Sequence, residues 1–477
     1  MKLKSYIPML GVAVVLLGSC ADRLDLDPFD AVGVNAAFES NTDFANAVRG
    51  IYSTMLDGEL YGGNYIAVPD IMSDNLIIAS EGRLSQQTRH YWVLAGNNTW
   101  ALWDDGYRAI MRANLVLENI GNLDEGAVRN NFQGQALALR AMAHFDMARI
   151  YCKPPQQASG SDLGIPYMTS SDASQKPGRP SVSETFTMIL NDLDEALTLI
   201  GDGNGINQMN GYAVNALLAR VHFYMGDNAS AITHATAAIT AQPGIAAYDD
   251  VDGMWKDEND AGVLFKIANT DQDNVGVGVQ YSQTGPTGVR SEYVVDYGLY
   301  QLYEDNSDDT DDVRLDVYFS TSEFAGSEFN HIAKWFGRTG SNANVSDIQV
   351  LRTEEMYLTR AEARAATGDD AGALADLNVI RDERYTAHAT GETGAALLAA
   401  IRLERRKELA FEGHRFFDLK RLNAGISRST FGDYSDGSGI ALPADALNLP
   451  AGDTRLELPI PQAELNANEN MVQNPGY

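Results

Sequence analysis

Apolar residues return at helical intervals through three parts of this chain and lose that rhythm in two long stretches between them. Phe44, Val48, Ile51 and Met55 are spaced four, three and four apart, which predicts a first helix within residues 38–56. From Asp57 to Asn98 the period fails. Glycines stand at 58, 62, 63, 82 and 96, and Tyr61, Tyr65, Tyr91 and Trp92 interrupt the segment, so an irregular, partly β stretch is expected. Helix resumes with Trp103, Tyr107, Ile110, Asn114 and Leu117 on one face, where the tryptophan reads as core rather than site. Residues 136–151 and 186–200 predict two more helices, separated by a polar loop over 153–181 that carries five prolines.

Two segments repeat. ARVHFYMGDNASA and AEARAATGDDAGA place Ala219, Gly226 and Ala231 in register with Ala361, Gly368 and Ala373, 142 residues later. This spacing suits a tetratricopeptide-like helical hairpin: alanines let two helices approach closely, and the glycine ends the first helix before an acidic turn. Tandem copies would follow each other at about 34 residues, so the wider gap implies a solenoid interrupted by an insertion. The stretch Pro243–Ser346 fits that insertion. Val263, Phe265 and Ile267 alternate, as do Val275, Val277 and Val279, which predicts short strands and loops, and another short strand is expected at Leu456–Pro461. The expected fold is mainly α: tetratricopeptide-like hairpins forming an α-solenoid frame over about 38–57, 100–242 and 346–421. Irregular loop and short-strand insertions at about 58–99 and 243–345 are where binding surfaces commonly sit.

One stretch mixes charge and bulk. Of the eighteen residues from Glu404 to Arg421 ten are charged, yet Leu409, Phe411, Phe416, Phe417 and Leu419 sit among them. Leu403, Arg406, Ala410 and Phe417 follow helical spacing, and Gly413 marks a break between two helices. Two readings fit: an amphipathic surface helix with Glu404 and Lys407 paired three residues apart, or a docking element whose Arg and Glu side chains bond neighbouring helices. Neither is catalytic.

This stretch, ERRKELAFEGHRFFDLKR, resembles the C-terminal signature of the SusD/RagB family, the surface lipoproteins that capture nutrients for Bacteroidetes outer-membrane transporters. FESNTDFANAVRGIYSTML (38–56), WDDGYRAIMRANLVLENI (103–120), ALALRAMAHFDMARIY (136–151), GIPY (164–167) and the closing QNPGY resemble family blocks in family order. The resemblance covers nearly the whole mature chain and implies one SusD-like domain over 38–477, with a ligand face built from its loops.

Composition and the N-terminus agree with export. With 44% hydrophobic and 9% aromatic residues in 477, a substantial core is affordable. The formal charge is −30, and removal of Lys2 and Lys4 with residues 1–19 takes it to −32, which argues against binding nucleic acid by charge. Residues 1–19 have the plan of a secretory signal: two lysines, then an apolar run from Ile7 to Leu17 that is short for a membrane span. Leu17, Gly18, Ser19 and Cys20 match a lipobox, making Cys20 the expected lipidation site and residues 20–37 an acylated tether; an ordinary signal peptide with an incidental cysteine is the alternative. Cys152 is then the only other thiol, expected to be buried and inert.

Other chemistry is sparse. Asp305–Asp312 (DNSDDTDD) is calcium-like, but an EF-hand loop wants glycine where Thr310 stands and glutamate where Asp316 stands, so a solvated acidic turn is expected and no metal site. There is no HExxH, no GxxxxGK[ST] and no GxSxG, and no cofactor is expected. The 65 acidic residues supply carboxylate pairs throughout, so a secreted glycosidase is the rival reading, and no motif points to one. The resemblance implies non-catalytic capture of an oligosaccharide, or of a peptide, and delivery to a SusC-like TonB-dependent transporter. Sugar faces stack on aromatic side chains, so the candidate ligand contacts are Trp92, Trp335, Tyr293 and Tyr297 in the irregular segments, with Arg83 beside them.

Overall fold

The computed structural model of the chain describes residues 37–201, 203–285, 288–304 and 311–477. Its long helices are α1 (Asn41–Met55), α2 (Asn64–Ile71), α3 (Leu102–Asn119), α4 (Ala127–Tyr151), α5 (Val182–Leu199), α6 (Gly211–Met225) and α7 (Asn228–Ala241). They continue with α8 (Tyr297–Glu304), α9 (Thr353–Ala366), α10 (Asp370–Asp382), α11 (Gly394–Glu408) and α12 (Arg415–Arg421). Starts are written in the side chains. Ser40 with Asp43 and Ser181 with Glu184 form reciprocal capping boxes, so two otherwise orphaned N–H groups are satisfied at each of α1 and α5.

The repeated motif makes the hairpins α6–α7 and α9–α10. Gly226 (φ 80°) and Gly368 (φ 87°) close the first helix of each in left-handed backbone, and Asp227 and Asp369 then cap the second helix from Ser230 and Gly372 N–H. Ala219, Ala231, Ala361 and Ala373 are fully buried between them. Although more than a hundred residues separate them in sequence, α9 packs directly on α7. The reason is that the insertion closes on itself: strand Val263–Ile267 pairs antiparallel with Ile348–Arg352, which leads straight into α9. Among the described residues the strands form five two-stranded antiparallel pairs and no larger sheet. One of them, Leu76–Ile78 with Tyr293–Val295, joins the early irregular segment to the insertion.

The charged C-terminal stretch is a docking element. Gly413 (φ 78°) turns the chain between α11 and α12 at a point where a Cβ would lie 2.6 Å from the Tyr65 carbonyl oxygen. Phe416 and Phe417 are buried. Glu408 accepts from Arg384 Nε at 2.9 Å, Arg314 Nη1 at 3.1 Å and Arg352 Nη1 at 3.2 Å, while Glu412 pairs with Arg352 and Lys334, each at 2.7 Å. Burial opposes the Glu408 charge, but Arg384, Arg352 and Arg314 together hold the carboxyl well below its usual range. Such a network stabilises little relative to apolar packing but is costly to break, because removing one partner leaves a buried charge unpaired. Here it locks α11 to the insertion and to the segment after α10.

Several expectations are corrected. The surface-helix reading of 402–421 fails because Glu404 and Lys407 are buried and bond Arg314 and Asp312 rather than each other. Residues 305–310 lie outside the described residues, but Asp312 is not part of a solvated turn; it is buried against Arg314 and Lys407. Val277–Gln280 is a 3-10 helix rather than a strand, and Leu456–Pro461 forms no strand. In the latter, prolines at 459 and 461 remove ladder donors, and the Leu458 N–H bonds Ile150 O instead. The irregular early segment holds a buried helix, α2, whose all-round apolar character hid its period. Cys152 is buried as expected, and burial pushes its thiol up to about 11.

Candidate functional site

The strand pair Leu76–Ile78 with Tyr293–Val295 sets two irregular segments side by side, and a third loop completes the surface. After Ile78 the chain turns over residues 79–82, where a Cβ on Gly82 would lie 2.8 Å from Ser291 O, so the loop lies flat on its neighbour. Glu292 then gathers the loop. Its Oε1 accepts from Arg83 Nε at 2.6 Å, and its Oε2 accepts from Arg83 N at 3.0 Å and Ser85 Oγ at 2.9 Å. Burial opposes this charge, yet the bonds from Arg83 and Ser85 keep the carboxyl below its usual range. The Glu292 side chain is 1% exposed and that of Arg83 is 55% exposed. No described residue accepts from the Arg83 Nη atoms.

The third loop, residues 429–440, is tied on by two carboxylates. Asp433 Oδ2 accepts from Ser80 N and its Oδ1 from Ile440 N, both at 2.7 Å, while Asp296 Oδ2 accepts from Ser429 Oγ at 2.5 Å. Asp296 also receives Leu299 N–H and so caps the start of α8. Burial raises its carboxyl above the usual range. Across this junction Tyr297 meets Phe431 edge to face at 5.1 Å and lies nearly parallel to Tyr300 at 6.2 Å. Phe431 is 37% exposed and Tyr297 half-buried. Gly437 (φ 78°) backs the ring so closely that a Cβ there would lie 2.4 Å from Tyr297 Cδ1. The Tyr297 hydroxyl makes no hydrogen bond to a described residue. Leu84 and Ile440, both exposed, lie on these loops.

The structure thus brings Arg83 and Tyr297 to adjoining loops and takes the other three aromatic candidates inside. Trp92 is buried, donates Nε1–H to Met72 O at 2.8 Å and carries the Arg428 guanidinium 4.0 Å above its ring. Trp335 is buried, with Nε1–H on Phe411 O at 2.8 Å and Trp255 5.2 Å away. Tyr293 is fully buried and donates to Ser85 O at 2.7 Å. As stacking platforms these three are corrected to packing residues, because each has both ring faces and its polar tip engaged by protein. Phe431, Tyr300, Asp433 and Glu292 were not anticipated. The signal was present for the first: Phe431 precedes GDYSDGSG, an aromatic beside a glycine-rich loop, the same cue that singled out Trp92.

A cavity of about 600 Å³ lies elsewhere, between α3, the loop 166–177 and the C-terminal residues 464–471. Trp103, Met111, Met168 and Met471 line it, with Asp104 and Glu464 among the polar residues. The loop 166–177 supplies the largest share of its lining, with α3 as a second wall. Among the described residues no cluster of His, Cys, Asp and Glu suits a metal ion, and no helix is long and apolar enough to cross a membrane.

Known proteins resemble the chain in both sequence and fold. The SusD family model matches residues 290–477, and a second, described as starch-binding associating with outer membrane, matches residues 24–223. SusD-like protein P2 of Formosa agariphila is 25% identical over the full length of both chains. The starch-binding protein SusD of Bacteroides thetaiotaomicron is 30% identical over 154 residues, 31% of this chain and 26% of that one. Among solved structures, a SusD superfamily protein from Bacteroides vulgatus superposes with a TM-score of 0.80 at 28% identity, covering 92% of this chain and all of the other. Matched in both halves of its sequence and across its fold, the chain belongs to the SusD/RagB family.

Proposed function

We propose that this protein captures an oligosaccharide at the cell surface and passes it to a SusC-like TonB-dependent transporter, held to the outer membrane by lipid on Cys20. The family is one of carbohydrate-binding proteins associated with the outer membrane, and the steps of transfer and lipid anchoring extend that reading. The observation that carries it is the pair of half-buried Tyr297 and exposed Phe431, whose loop Asp433 ties through Ser80 N to the loop that carries Arg83. A pyranose presents weakly polar C–H faces to an aromatic ring while its hydroxyls take directional hydrogen bonds, and this surface supplies both kinds of partner. Its role is binding without turnover.

The test is calorimetry with a panel of neutral malto-, laminari- and xylo-oligosaccharides, alongside chromatography for products. Tyr297→Ala and Phe431→Ala are each expected to lose at least tenfold in affinity with little change in melting temperature. Hydrolysis products would overturn the non-catalytic reading. Peptide binding without glycan binding would move the assignment to a peptide-capturing RagB-like protein.

A further inference from the structure

Charge around the proposed glycan surface is arranged unequally. Arg83 is its most exposed cation, and it is compensated: Glu292 lies 2.6 Å from its Nε and is itself almost wholly buried. The pair is therefore neutral as a unit, yet the Nη atoms still point donors at whatever approaches. Guanidinium nitrogens in a fixed fork suit pairs of oxygen acceptors, and vicinal sugar hydroxyls are such a pair. The neighbouring Arg290 is also engaged, with Nε on Glu81 O at 3.0 Å and its guanidinium 5.8 Å from the Phe324 ring.

The carboxylates are not balanced in the same way. Glu81 is exposed on the Arg83 loop, and Asp433 and Asp436 lie on the facing loop; none of the three has an ion pair among the described residues. The chain as a whole carries −30. A uronate or sulfate arriving here meets Glu81, Asp436 and the buried Asp433 without ion pairs, against Arg290 as the one cation of the surface without a carboxylate partner among the described residues, so the local balance is negative.

Resting on the reading of this surface as a glycan site, we infer that its ligand is an uncharged glycan and that the Arg83–Glu292 pair sets this selectivity. Glu292 is a positioning residue: it fixes the guanidinium by Nε and cancels its charge, leaving the Nη donors for hydroxyls.

The experiment compares neutral laminari- and malto-oligosaccharides with oligogalacturonate and sulfated oligosaccharides of equal length, at about 20 mM and 500 mM salt. Wild type is expected to bind a neutral member at both salts, because a neutral ligand feels no screening, and the anionic members at least tenfold more weakly at low salt. Glu292→Gln keeps an oxygen for Ser85 and Arg83 but releases the Arg83 charge, so anionic binding should rise at least tenfold at low salt and fall back at high salt. Because that change is buried, melting temperature is recorded, and the exposed Glu81→Lys serves as a second variant with the same expected direction. Anionic glycans that bind wild type as tightly as neutral ones, with binding lost in Tyr297→Ala, would overturn the inference while leaving the capture reading standing. Well-folded variants whose anionic affinity does not rise would also overturn it. If no glycan of either kind binds, both readings fall.

Discussion

The indole N–H of Trp335 donates to the carbonyl of Phe411 at 2.8 Å, tying the inserted segment to the turn between α11 and α12. Phe411 sits at φ 66°, a backbone region costly for a bulky residue, and Tyr281 Oη donates to the same carbonyl at 3.2 Å. The ring's value is therefore structural, and it can be measured.

Trp335→Ala is expected to cost about 3–5 kcal/mol, from lost packing and the cavity left behind. Trp335→Phe should cost about 1–3 kcal/mol, because packing is largely kept and the buried carbonyl loses one of its two donors. Denaturant titration measures both. A Trp335→Ala variant with unchanged stability would contradict the packing assigned to it.

The Glu408 network predicts a direction with pH. Its folded carboxyl titrates well below 4.5, so the unfolded chain binds more protons in acid. The contribution is complete above the unfolded value near 4.5 and is lost as pH falls from there through the folded value. Arg384→Gln removes one of three compensating cations and should destabilise by about 3–5 kcal/mol at neutral pH while moving the acid midpoint upward. A midpoint that stays put in this variant would show that another group controls acid unfolding.

Gly437 offers a test of how Tyr297 is presented. Its left-handed backbone disfavours any side chain, and a Cβ would collide with the Tyr297 ring. Gly437→Val is expected to lose at least tenfold in glycan affinity while the melting temperature falls by only a few degrees, since the loop is peripheral to the core. Retained affinity would place the binding surface away from Tyr297.

Anchoring and partnership are tested together in cells. Cys20 lies outside the described residues, and the lipobox alone motivates the prediction. An acyl chain contributes about 0.8 kcal/mol per buried methylene, so several chains on one cysteine retain a protein at the membrane. Cys20→Ala should leave the outer-membrane fraction, and gentle detergent extraction of the parent should co-purify a β-barrel transporter. Cys20→Ala fractionating like the parent would disprove the anchor.

Local physics made much of this fold legible. The period of Phe44, Val48, Ile51 and Met55 gave α1, and the glycine and alanine spacing around Gly226 and Gly368 gave both hairpins, because helix period and left-handed caps are decided within a few residues. The C-terminal signature could be read as important but not as buried. Whether Glu408 faces water or three arginines depends on Arg314, Arg352 and Arg384, which reach it from three separate segments. The same limit applied to the aromatic residues. Trp92, Trp335 and Phe431 all stand in irregular, glycine-bearing sequence, yet Arg428 and Phe411 cover the first two while Phe431 stays exposed on the loop held by Asp433. Sequence by itself determined where the chain coils, caps and breaks, since those choices rest on neighbours along the backbone. Only the tertiary structure decided which rings reach solvent, because burial is set by residues remote in sequence, from the 76 positions between Trp335 and Phe411 to the far wider gap between Trp92 and Arg428.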